Sequence, residues 1–229
     1  MPVKRTYDDS CGIARALDLV GERWALLVMR ELMLGPKRFS DLQRGLPTAS
    51  QNVLSHRLRE LTAAGVVRRR KLGAPVGAWV YEPTPWGREL EPVLLALGRW
   101  GSRAPMVADA ELNADAMVLG LKSMFLPEAA AGVRVSLGLR LGDEVFRLTI
   151  ADGRLEAARG DAERPDAVVA TDVATLRELI FRGRPTATLR ASGRLTVEGD
   201  VEAVERLPAL FARPRPAPEA EADEARLSP

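Results

Sequence analysis

The sequence predicts an α+β chain in two parts, and three observations predict it. Apolar residues recur at helical spacing through most of residues 1–103 and alternate with period two in runs after residue 132. Charge divides too: residues 1–103 hold 17 Lys/Arg against 10 Asp/Glu, whereas 104–229 hold 16 against 21. The length of 229 residues suits one large or two modest domains, and 46% hydrophobic with 28% charged residues is a globular mix. That mix excludes a wholly disordered, collagen-like or disulfide-stapled chain. Cys11 is the only cysteine, so no intramolecular disulfide forms and a reducing compartment is the natural setting. The opening MPVKRTYDDSCG lacks the apolar core of a signal peptide, and no apolar run nears the ~20 residues needed to cross a bilayer. A cytoplasmic protein without membrane contact is expected.

The first half reads as helices followed by a hairpin. Ile13, Ala16, Leu17 and Val20 follow helical spacing, and the apolar stretch Trp24 to Leu34 stops at Gly35-Pro36. Being apolar nearly all round, that second helix belongs at the centre of the core. Ser40 is expected to cap a short helix through Leu46, ended by Pro47. Ser50 caps a longer helix, Gln51 to Ala64, closed by Gly65. Inside it Leu54, Leu58 and Leu61 face the core, so Gln51, Asn52, Ser55, His56 and Arg59 point mostly outward, with Arg57 nearer the boundary. Val66 to Lys71 is β-favouring and basic, 72–77 is a turn, and Ala78 to Glu82 is the return strand. Pro83-Thr84-Pro85 ends that strand and starts a helix, Trp86 to Trp100, with Leu90, Val93, Leu94, Leu97 and Trp100 along one side.

Nine basic residues crowd between Lys37 and Lys71 against only Asp41 and Glu60. They coincide with a short, polar, cationic helix flank next to a two-stranded ribbon. Gln and Asn match adenine edges and Arg matches guanine edges in a major groove, while consecutive cations grip phosphates. The expected DNA-contacting set is therefore Ser50, Gln51, Asn52, Ser55, His56 and Arg57 on the helix, with Arg68, Arg69, Arg70 and Lys71 on the ribbon. Two half-sites one helical turn apart, roughly 34–36 Å, need two copies related by a two-fold axis. A homodimer on double-stranded DNA is expected; the alternative for the 86–100 helix is that its apolar face packs only within its own domain.

The runs Cys11 to Trp24, Arg38-Phe-Ser-Asp-Leu42, Ser50 to Leu61, Thr84 to Leu90 and Arg99-Trp-Gly101 resemble the HxlR-type winged helix-turn-helix transcriptional regulators. The resemblance spans about residues 8–101. It implies a homodimer held by the first and last helices of that domain and a recognition helix at 51–64. Asn52 stands where the family often has a basic residue, and the wing tip Val76-Gly77-Ala78 lacks the family's usual cation. Cys11 sits where many members carry a redox-sensing thiol, and a position close to a helix N-terminus with Arg15 one turn on lowers a thiol pKa. The other reading of Cys11 is a small buried residue at the dimer seam. His56, the sole histidine, is read as a DNA-contacting or surface polar group, and no metal site or cofactor is expected.

The second half reads as a sheet covered on one face by helices. A helix over 108–126 stops at Pro127. Strands follow at Val133 to Leu141 and Phe146 to Ile150, a hairpin at Asp152-Gly153, and a strand at Ala167 to Ala170. Thr171 or Asp172 caps a helix closed by Gly183. Leu189 and Leu195 to Val197 are expected as two short strands, and a last helix runs from Val201 to Phe211. Phe146 to Gly153, Pro165 to Val169, Asp172 to Leu176 and Gly193 to Asp200 resemble the sterol-carrier-protein fold over about 115–212. That likeness implies an apolar tunnel for lipid-like molecules, lined by Val118, Leu121, Met124, Phe125, Phe146, Leu176, Ile180, Leu207 and Phe211. The same residues also suit a solid core that leaves a purely structural module.

Three segments result: 1–103, a DNA-binding and dimerisation domain; 106–212, a ligand-binding domain; and 213–229, a disordered Pro- and acid-rich tail. Gly101 to Pro105 is the expected hinge. No Gly-rich phosphate loop, HExxH or Cys/His metal spacing occurs, so an enzyme is not expected. The reading is a dimeric DNA-binding regulator responding to an apolar small-molecule effector. The alternative is a lipid carrier that uses the winged helix as a dimerisation scaffold.

Overall fold

A computed structural model describes residues 6–73, 77–105 and 112–217. The first half contains α1 (Gly12–Val20), α2 (Ala25–Met33), α3 (Phe39–Gly45), α4 (Gln51–Ala63), β1 (Val67–Lys71), β2 (Trp79–Pro83), α5 (Pro85–Arg88) and α6 (Glu91–Gly101). Helix α2 is the central element: Ala25, Val28, Met29 and Leu32 are all fully buried. Leu42 of α3 and Leu54, Leu58 and Leu61 of α4 pack into the same core. Strands β1 and β2 pair antiparallel, and Lys37 adds a bridge to β2, its N–H donating to the Tyr81 carbonyl at 3.0 Å and its own carbonyl accepting from Tyr81 N at 2.8 Å.

Two expectations fail here for local reasons. Helix α3 starts at Phe39 with Arg38 as N-cap, because the Asp41 carboxylate accepts from the Arg38 N–H at 3.1 Å; Ser40 is an exposed residue inside the helix. The helix expected over 86–100 is two helices. Thr84 caps α5 through Gly87 N–H, but Pro92, near the start of α6, has no N–H to continue the ladder, so the chain turns at Glu89-Leu90 and restarts.

The second half contains α7 (Ala114–Met124), β3 (Val135–Leu141), β4 (Glu144–Ala151), β5 (Arg154–Arg159), β6 (Ala167–Thr171), α8 (Val173–Arg182), α9 (Thr186–Ala191), β7 (Leu195–Gly199), α10 (Val201–Arg206) and a 3-10 turn (Leu207–Leu210). The sheet order is β5-β4-β3-β6-β7, antiparallel except where β6 lies parallel to β3. Asp152 and Gly153 both take positive φ in the β4–β5 turn, as a two-residue hairpin requires. Leu137 and Leu139 of β3, Leu148 and Ile150 of β4 and Val169 of β6 share a small apolar cavity with Leu121 of α7 and with Leu176 and Ile180 of α8, so helices cover that sheet face.

Helix α7 begins at Ala114, where Asn113 accepts from Ala116 N–H at 2.8 Å; the residues 108–111 assigned to it lie outside the described residues. Leu189 is on α9 rather than a strand, because Thr186 and Leu189, three apart, are both buried and no alternation accompanies them. Pro208 tightens the end of α10 into the 3-10 turn. Of the tail, residues 213–217 carry neither helix nor strand and Ala217 N–H donates to Arg103 carbonyl at 2.9 Å; the rest lies outside the described residues.

The halves are joined by a buried polar cluster and a shared core. Lys37 Nζ donates to Glu31 at 2.6 Å and to Asp115 at 2.7 Å; Asn113 Nδ2 donates to Glu31 at 2.8 Å and to the Gly45 carbonyl at 2.9 Å. Arg159 of β5 pairs with Asp115 and Glu144, and its N–H donates to the Leu34 carbonyl at 2.7 Å. Arg99 of α6 donates to the carbonyls of Ser123 and Phe125 at the end of α7. Glu31 is fully buried, so its charge persists there only because cations and donors surround it.

Candidate nucleic-acid interface and an apolar cleft

Helix α4 presents the expected polar flank. Ser50 accepts from Val53 N–H at 3.4 Å as N-cap, and Leu54, Leu58 and Leu61 bury the opposite side. Gln51, Asn52 and His56 are exposed, Ser55 is half-buried, and Arg59 is exposed on the same side. His56 Nε2 lies 3.2 Å from Glu60. Arg57 differs: its side chain is only 12% exposed, pairs with Glu60 and lies 3.6 Å from Glu22. It therefore ties α4 to the α1–α2 turn rather than projecting from the flank. Arg59, absent from the expected contact set, lies seven residues after Asn52 and three after His56. That spacing is the signal that places it on their face.

The four cations of β1 divide between the ribbon's two faces, as period two demands. Arg68 and Arg70 converge on Glu82, with Arg68 Nη2 at 2.7 Å and Arg70 Nε at 2.8 Å. Hydrogen bonding from Arg70 lowers the Glu82 carboxyl; burial pushes it up, and the Arg68 hydrogen bond and both guanidinium charges keep it low. Arg69 lies over the Trp79 ring at 4.6 Å and over Tyr81 at 5.9 Å. Lys71 is exposed at the end of the strand. Of the wing tip, Val76 lies outside the described residues.

Cys11 is exposed at the N-cap of α1 rather than buried within the chain. Hydrogen bonds from the Ile13 and Ala14 N–H groups lower its thiol pKa against a slight desolvation in the other direction. Exposed apolar side chains lie on α1 and α6: Ile13 is 72% exposed, Val93 54%, Leu97 45% and Trp100 73%.

The residues assigned to a tunnel are all buried, and they do not enclose one. Leu121, Leu176, Ile180, Leu207 and Phe211 line a cavity of only about 20 Å³ between sheet and helices, roughly one water's room. Val118, Phe125 and Phe146 do not line it. The side chains fill the layer, because Phe125 and Phe211 meet edge to face at 5.8 Å and Leu179 completes the packing. Open volume lies elsewhere. A cleft of about 780 Å³ runs where α2, α6, α7 and α8 meet, and of the nine tunnel residues only Met124 lines it. Its small residues, Gly98, Gly101, Ala116 and Gly120, were a legible signal, because glycine inside a helix costs stability.

Residues 19–108 match the HxlR-like helix-turn-helix family, and residues 123–217 match the alkyl sulfatase C-terminal family. The second match covers the half expected to carry the sterol-carrier-protein fold and describes it by the alkyl sulfatase family. YkvN, an uncharacterized HTH-type transcriptional regulator of Bacillus subtilis strain 168, is 39% identical over 92 residues, 40% of this chain and 78% of its own length. YvaP, another from the same strain, is 35% identical over 88 residues, 38% of this chain and 82% of its own. Among solved structures, the redox regulator HypR in its oxidized form is 33% identical, covers 42% of this chain and 100% of its own, and has a TM-score of 0.40.

Proposed function

The chain belongs to the HxlR-like helix-turn-helix transcriptional regulators, and on that premise we propose a homodimer that reads DNA with α4, grips phosphates with the β1–β2 wing and responds to an apolar small molecule. The observation that carries this reading is the exposed flank of Gln51, Asn52, His56 and Arg59 beside a cationic ribbon. Gln51 and Asn52 supply paired donors and acceptors to base edges, while Arg59, Arg69 and Lys71 supply charge to the backbone. Stacking on Trp79 and Tyr81 holds the Arg69 guanidinium in one place.

Dimerisation is supported by the exposed Ile13, Val93 and Trp100, because a monomer gains nothing from leaving large side chains on two helices in water. A cytoplasmic setting fits a DNA partner, and no described helix is long and apolar enough to cross a membrane. Ligand response requires different affinities for DNA-competent and incompetent arrangements. The match to an alkyl sulfatase domain supports a ligand with an alkyl chain.

The test is retardation of the gene's own upstream DNA at two salt concentrations, against a random fragment. Preferential retardation of the upstream fragment, weakening as salt rises, is expected. Equal retardation of both fragments, or none, supports instead the carrier reading, which the apolar cleft favours.

A further inference from the structure

We propose that the cleft between the two halves is the effector site, and that its ligand is a single-chain amphiphile with an anionic head. This deepens the ligand-responsive reading and rests on it for its regulatory meaning.

The volume of about 780 Å³ lies in the roughly 300–1,000 Å³ range of ligand clefts. Leucines of α2 and α6, with Met117 and Leu119 of α7, supply apolar walls. Two glycines keep the space open. A Cβ built on Gly101 or Gly120 meets nothing within 4 Å, although both residues are in helices. Glycine inside a helix costs stability relative to alanine. At Gly120 that cost is borne where an added side chain would enter the cleft and clash with nothing.

Charge selects the head group. Arg30, Arg177 and Arg182 line the cleft, and among the described residues no carboxylate does. Arg30 donates Nε and Nη2 to Glu31, behind the lining, and Arg182 is exposed in the last turn of α8. With Arg30 held by Glu31, apolar walls edged by the exposed Arg182 guanidinium fit a hydrocarbon chain ending in a carboxylate or sulfate.

The position explains how occupancy reaches DNA. Leu94, Leu97, Gly98 and Gly101 of α6 line the cleft, while Val93, Leu97 and Trp100 are exposed along the same helix. Leu97 belongs to both sets. A ligand wedged beneath α6 therefore bears on the helix that sets the spacing of two α4 flanks.

The test is calorimetric titration of lipid-stripped full-length protein with decanoate, decyl sulfate, decanol and decyltrimethylammonium, all below micelle-forming concentrations. Saturable binding of decanoate, decyl sulfate or both is expected, roughly tenfold tighter than the cation. Preference between the two anions identifies the head. Gly120→Leu fills the cleft with a better helix former and abolishes binding while circular dichroism stays unchanged; Arg182→Gln weakens anion binding by roughly tenfold.

Equal binding of all four heads, undiminished binding by Gly120→Leu, or no saturable binding overturns the proposal. A Gly120→Leu protein that turns monomeric, with no amphiphile bound by the parent, assigns the cleft to a second copy and overturns it too. Retardation of DNA by the stripped protein is measured separately, so its loss counts against the regulator reading and leaves the binding result standing.

Discussion

Arg57 and Arg59 stand two positions apart on one helix and have different surroundings. Arg57 is buried to 12% exposure against Glu60 and Glu22, whereas Arg59 is exposed beside Asn52 and His56. Arg57→Ala is therefore expected to lower the thermal midpoint with little change in the ratio of specific to random DNA binding. Arg59→Ala is expected to weaken binding to both DNAs about equally and reduce the salt slope by about 1. Thermal melts and fluorescence anisotropy at several salt concentrations check both. Glu31 carries a second residue-scale prediction. Burial pushes its carboxyl up, but the Lys37 and Arg30 charges and the hydrogen bonds from Lys37 and Asn113 leave it below its ordinary value. A depressed carboxyl contributes stability above its unfolded pKa, near 4.3, and loses that contribution as pH falls through the folded value. Urea midpoints should fall below about pH 4, and Glu31→Gln should flatten that acid limb.

Helix ends show which local signals survive folding. Ser50, Asp172 and Gly183 act where their residue types place them: Ser50 and Asp172 accept from the third residue on, and Gly183 takes φ of +65°. Each needs only its own turn, so each was readable from sequence. Burial pushes the Asp172 carboxyl up, and the N–H groups of Thr175 and Ala174, the Thr175 hydroxyl and the Arg194 charge pull it lower still. Asp172→Ala is expected to cost about 1 kcal/mol, read as a shifted denaturant midpoint. Ser40 as a cap, Leu189 as a strand and a single helix over 86–100 depart from expectation because each stretch has two local solutions. The Asp41 carboxylate, accepting from Arg38 N–H, sets the cap at Arg38 rather than Ser40; burial of Thr186 makes Leu189 helical, and Pro92 breaks a helix that periodicity alone continues.

At the scale of the molecule, Trp100 is the largest apolar group left on α6, at 73% exposure. Trp100→Glu is expected to convert dimer to monomer in sedimentation velocity and to reduce operator affinity at least tenfold. A monomeric parent protein would remove the dimer from the proposed function. The cluster of Glu31, Lys37, Asp115 and Arg159 joins residues far apart in sequence. Lys37 was counted among the cations of the basic segment, yet it is 4% exposed and neutralised by two carboxylates. No period in the sequence distinguishes it from Lys71.

The sequence by itself determined most of the elements, the polar flank of α4 and the family likeness of the first half, because turn chemistry and the periods 3.6 and 2 act over a few neighbouring residues. Only the tertiary structure decided which arginines are consumed by partners and where space remains. Pairing and volume depend on atoms that meet across the chain: Glu82 reaches two arginines of the opposite strand, and glycines on two different helices leave room between them.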